Sequence, residues 1–165
     1  MKSLLITLLL AIGLPMAVDA NYYSDEDLMT DETIHRAYLG STTKTSNSIG
    51  IQEEAVIWVR CKVKDNTMTE FESFIRTPTY NADNTRVAFR WDQGTPREAR
   101  WNESTNSQSF FAPKPLPFVI QLYNSDTLVF QWTPYSSGTR AVKFELNEFK
   151  KDLNKLIEAG CGDFQ

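Results

Sequence analysis

The stretch "AVIWVRCKVKDNTMTEFESFI", residues 55–75, decides the fold class. Ala55, Ile57, Val59, Cys61 and Val63 alternate with Val56, Trp58, Arg60 and Lys62. A period of two puts successive side chains on opposite faces of a strand, so one face here is strongly apolar and Cys61 points inward with it. Asp65-Asn66 follows, a good turn pair. Thr67 to Ile75 then returns as the second arm of a hairpin.

The same period recurs downstream. Thr77 to Asn84, with a proline, two asparagines and an aspartate, reads as a loop. Val87, Phe89 and Trp91 alternate with Arg86, Ala88 and Arg90 in a third strand. Asp92 to Pro96 turns the chain, and Arg97 to Asn102 is a fourth strand antiparallel to the third. Ser104 to Ser107 turns again, and Ser109-Phe110-Phe111 extends beyond it. Leu116 to Asn124 is a short helix, because Phe118, Val119, Leu122 and Tyr123 have helical spacing. Leu128, Phe130 and Trp132, then Val142, Phe144 and Leu146, form a last hairpin about a turn at Pro134 to Gly138. From Asn147 to Ala159 the period changes. Phe149, Leu153, Leu156 and Ile157 make a helical stripe that Gly160 stops. The expected fold is mainly β (α+β): a single antiparallel sandwich or barrel-like domain with a short connecting helix and a C-terminal helix.

The chain has 165 residues and a formal net charge of −4. Met1-Lys2, an apolar run from Leu4 to Leu14 and Val18-Asp19-Ala20 together read as a secretory signal peptide over 1–20, cut after Ala20. About 145 residues follow, the usual size of one domain. Asp25, Glu26, Asp27, Asp31 and Glu32 crowd their beginning, so 21–48 reads as an acidic, partly flexible arm and 49–165 as the β-rich domain. The acidic balance argues against nucleic acid as a partner. No later segment is apolar enough to span a bilayer, so the expected compartment is the periplasm or the outside.

An exported chain with two cysteines, Cys61 and Cys161, implies a disulfide. It would close a loop of about 100 residues, worth ~4.7 kcal/mol in the chain-entropy account. The spacing fits no zinc motif, and His35 is the one histidine in the chain. There is no G-x-S-x-G elbow for a Ser-His-Asp arrangement. Asp92, Glu98, Glu103 and Asp126 lie near strand ends, but nothing singles out a pair of them. No catalytic residue, metal ligand or cofactor is therefore expected. Residues 89–104, "FRWDQGTPREARWNES", hold Arg-Trp twice. The alternation places Trp91 and Trp101 inward and Arg90 and Arg100 outward, with Asp92, Glu98 or Glu103 as ion-pair partners. A glycan platform of exposed tryptophans is the competing reading. Arg90 and Arg100, with the turn Tyr135, Ser136, Ser137 and Gly138, are the candidate protein-binding residues.

The ordered segments "VIWVRCKVKDNTMTEFESFI", "VAFRWDQGTPREARWNESTNSQSFF" and "PFVIQLYNSDTLVFQWTPYSSGTRAVKFELNEFKKDLNKLIEAGC" resemble the periplasmic, type VI secretion-associated family of the VasI/TagO kind. The matching positions are Arg60-Cys61, Arg90-Trp91-Asp92, Trp101, Ser104, Phe110, Thr133-Pro134-Tyr135, Phe144, Leu146 and Cys161, over roughly residues 55–161. The resemblance implies a β-rich envelope domain with no catalytic residue to carry over. The function it implies is that of an accessory protein contacting an envelope or secretion-system protein. A periplasmic inhibitor or phage-encoded exclusion factor, blocking a cell-wall hydrolase or a phage protein, is the alternative.

Overall fold

The computed structural model describes residues 20–81, 86–135 and 138–164. The leader lies outside these residues except for Ala20, which opens the first strand. Ser136 and Ser137 also lie outside them.

Among the described residues, ten strands form two antiparallel sheets, accompanied by two helices. The larger sheet holds β1 (Ala20–Asp27), β2 (Glu32–Ser46), β3 (Gln52–Lys64), β4 (Thr67–Arg76), β8 (Ser109–Phe111) and β7 (Asn102–Glu103), in the order β1-β2-β3-β4-β8-β7. The smaller sheet runs β10 (Arg140–Glu145), β9 (Thr127–Trp132), β5 (Arg86–Trp91), β6 (Arg97–Arg100). Helix α1 (Pro115–Asn124) packs on β4, and α2 (Phe149–Glu158) on β1 and β2. The β-rich, two-sheet domain with a connecting and a C-terminal helix is the expected fold class.

The β3–β4 hairpin forms as the alternation predicts. Lys64 pairs with Thr67, leaving Asp65 and Asn66 as a two-residue loop with φ of +49° and +59°. Left-handed conformations at both positions suit the twist of paired strands, and Asp and Asn tolerate them. The inner face of β3, Ala55, Ile57, Val59 and Cys61, is wholly buried.

Residues 21–48 are not an arm. They form nearly all of β1 and the whole of β2, paired from Ala20↔Leu39 to Asp27↔Glu32. Composition misleads here because β1 is an edge strand. Its Asp25 and Glu26 face solvent, where charge blocks pairing with another chain. On β2, Ala37 and Leu39 supply the buried apolar side chains.

The fourth strand is also divided. Arg97–Arg100 pairs with β5 in the small sheet, whereas Asn102-Glu103 pairs with β8 in the large one. Trp101 sits at the crossing, 4% exposed, with its ring against Phe118, Phe130 and Phe89. A second junction lies at the other side. The β2 register shifts between Gly40 and Lys44, and there Thr42 Oγ1 donates to the Lys143 carbonyl at 3.0 Å. Thr43 Oγ1 accepts from Lys143 N–H at 2.8 Å.

Helix α2 ends in a Schellman motif. Gly160 takes φ +86°, its N–H donates to the Ile157 carbonyl, and Cys161 N–H donates to the Leu156 carbonyl at 2.9 Å. This geometry turns Cys161 back onto the sheet. It is bonded there to Cys61, with Cα atoms 5.8 Å apart. Beyond it, Phe164 is fully buried and lies against Phe71.

Beneath α2, the Tyr22 hydroxyl and His35 Nδ1 are 2.9 Å apart, and the Lys155 ammonium, paired with Asp152, lies over the Tyr22 ring. Burial holds the His35 imidazole below the ordinary histidine range. The unfolded chain then takes up the proton first as pH falls through about 6.5.

Cys161→Ser should cost about 2–5 kcal/mol in urea unfolding, and both cysteines of the native protein should resist thiol labelling. Trp132, 1% exposed with its indole N–H on Thr79 Oγ1, should cost roughly 3–5 kcal/mol as alanine. Trp91 is half-buried against Phe89 and Phe118, so Trp91→Ala should cost less in the same titration. The urea midpoint should fall between pH 7.5 and pH 5, and His35→Gln should flatten that dependence.

Candidate binding surfaces

The residues picked out from sequence are not gathered into one site. Arg90 and Arg100 do lie on the outer face of the small sheet. However, Arg100 is opposite Arg86, four positions along β5 from Arg90, or about 13 Å at strand rise. The expected ion pairs also differ. Glu98 pairs with Arg86, at 3.4 Å. Asp92 binds backbone instead, and its Oδ1 accepts from the backbone N–H of Asp126 and Thr127 at 2.9 and 2.8 Å. Asp92 thus clamps the start of β9 to the end of β5.

Tyr135 lies at the end of the small sheet nearer Arg100 and is 78% exposed. It lines a cavity of about 260 Å³ with Tyr80, Pro134, Arg140 and residues 46–48. Arg140 Nε is buried there without a hydrogen-bond partner. Gly138 is exposed beyond the turn.

The outer face of the small sheet has the ordinary polar character of a solvated sheet, with Arg86, Glu98, Arg100, Gln131 and Glu145 exposed. The outer face of the large sheet is different. Register places Tyr38, Trp58, Phe74 and Phe111 side by side on β2, β3, β4 and β8. All four are half-buried, and Tyr23 of β1, 42% exposed, meets Tyr38 and Trp58 edge-on. Ring centroids are 4.8 Å apart for Tyr38–Trp58 and for Phe74–Phe111, and 6.2 Å for Trp58–Phe74. Rings only 4.8 Å apart cannot lie flat beside one another. They stand on the sheet with their faces turned to each other and their edges to solvent.

One step along the strands lies a charged row, Tyr23–Arg36–Arg60–Glu72 in register. Arg36 pairs with Asp25 and sits 5.4 Å from the Tyr23 ring centre, and Arg60 pairs with Glu72. The next row carries Lys62–Glu70 at 2.7 Å. Hydrogen bonding and charge from Glu70 hold the Lys62 ammonium above its ordinary range. Between the aromatic and charged rows is a cavity of about 200 Å³ lined by Tyr23, Arg36, Trp58, Arg60 and Phe74.

Sequence reasoning missed this surface. The alternation on β3 did place Trp58 and Arg60 on the second face, and Phe74 falls on the outward parity of β4. Nothing in either strand alone shows that Tyr38 and Phe111 come to lie level with them.

No family model matches the chain, and no curated protein matches it. Among solved structures, it is similar to invasion associated protein B from Bartonella henselae, with 12% identity and a TM-score of 0.50. The match covers 88% of this chain and 99% of that one. At such low identity the likeness concerns the fold alone.

Proposed function

We propose that this is an exported, non-enzymatic accessory protein that acts in the periplasm by protein–protein contact, docking its partner on the outer face of the large sheet. The aromatic row carries this reading. The outer face of a half-solvated sheet is ordinarily polar. Here five aromatic side chains lie together on it, in a patch flanked by ion pairs, and aromatic and arginine residues are enriched where proteins meet. Upright rings offer edges to a partner, which fits packing against a polypeptide better than the face-on stacking a sugar ring requires. The leader-like N-terminus and the Cys61–Cys161 disulfide support export. Among the described residues no helix is long and apolar enough to cross a membrane. The resemblance to the VasI/TagO kind makes a secretion-associated envelope protein the first partner to seek.

The second reading, a periplasmic inhibitor or phage-exclusion factor that inserts its β9–β10 turn into a cleft, is favoured by the exposure of Tyr135 beside the 260 Å³ cavity. One experiment separates the two. Wild type, Trp58→Ala and Tyr135→Ala are used to capture cross-linked partners from envelope extracts, with folding checked by urea unfolding. Cross-strand aromatic pairs contribute about 0.2–1 kcal/mol each, so Trp58→Ala should remain folded and lose at least tenfold in partner recovery. Tyr135→Ala should recover partners as wild type does. The reverse pattern would establish the turn as the site.

A further inference from the structure

The cavity between the two rows has unlike walls. One is formed by the rings of Tyr23, Trp58 and Phe74, the other by the guanidinium groups of Arg36 and Arg60. Arg36 and Arg60 are directly opposite each other on β2 and β3. Like charges in that position destabilise a sheet. Their carboxylate partners come from the flanking strands, Asp25 on β1 and Glu72 on β4. Each arginine makes a single ion pair, although a guanidinium carries five N–H donors. Arg60 Nε is buried with no partner at all. The ring edges are also the positive part of an aromatic quadrupole. An acceptor group set between the two guanidinium groups would satisfy donors that the fold leaves open.

Building on the docking face above, the geometry points to the chemistry of its partner: an acidic polypeptide segment in which a carboxylate bridges Arg36 and Arg60. The aliphatic or aromatic residue next to that carboxylate packs against Trp58 and Phe74. Charge complementarity selects the carboxylate, and the forked guanidinium geometry suits it better than a lysine pair would.

The test uses the disulfide-bonded protein, labelled with 15N, and two capped peptides, one alternating glutamate with phenylalanine and one alternating glutamine with phenylalanine. The Trp58 indole resonance, identified by its loss in Trp58→Phe, is followed together with the arginine Nε resonances. The glutamate peptide should shift Trp58 and Arg60 saturably. Affinity should fall at least tenfold for the glutamine peptide and for Arg36→Gln. Arg36→Lys, which keeps the charge and loses the fork, should lie between, and Arg100→Gln on the other sheet should bind as wild type does. The inference fails if Trp58 does not respond, if the two peptides bind equally, or if a uronic-acid oligosaccharide binds as tightly as the glutamate peptide. Loss of partner capture in Trp58→Ala together with no response to the peptide would keep the docking face and overturn its acidic chemistry.

Discussion

The inner face of β3 is the constraint around which the molecule is arranged. Ala55, Ile57, Val59 and Cys61 lie mid-sheet with no exposure to water, so a second layer must cover them. The small sheet and the helices share one hydrophobic core with them, the helices through Phe118, Val119, Leu153 and Leu156. The disulfide fixes the position of that cover. It joins the last residue of the buried face, Cys61, to the segment just past α2, and the glycine-capped end of α2 sets the direction in which the second cysteine points.

What the strand does on its other side gives the molecule its distinctive surface. Burial accounts for every second residue of β3, and the residues between are free to serve something else. They form a boundary between hydrocarbon and charge that crosses the strands rather than running along them. A sheet is well suited to this, since strands about 4.8 Å apart hold side chains in fixed rows. Such rows lose little conformational freedom on binding, because neighbouring rings and ion pairs already restrain them.

Most of the scaffold was legible in the sequence, because it rests on local signals. Period two gave β3, β4, β5 and β9, and helical spacing gave α1 and α2. Two cysteines behind a leader-like start gave the bridge. The losses had physical causes. The acidic run from Asp25 to Glu32 resembles a solvated tail, since an edge strand and its turn face water as a tail does. Trp101 reads as one more inward residue of a continuous strand, because alternation along the chain carries no information about a change of sheet. Legibility was poorest for the candidate site. Arg90, Arg100 and Tyr135 were chosen from contiguous segments, whereas the aromatic patch is assembled from single residues of five strands far apart in sequence. Only pairing register brings Tyr23, Tyr38, Trp58, Phe74 and Phe111 together, and register is a tertiary property.

The crossing at Trp101 also ties the fates of the two sheets. One continuous segment is a ladder strand of the small sheet on one side of the indole and of the large sheet on the other. Sliding β6 by a single residue would send its inward side chains outward and drag β7 out of step with β8. Neither sheet can change alignment or come apart alone at this corner, so the two layers should melt as one cooperative unit. Insertions in the loop before β6 are absorbed by the loop, whereas one residue added between Arg100 and Asn102 would put both ladders out of phase.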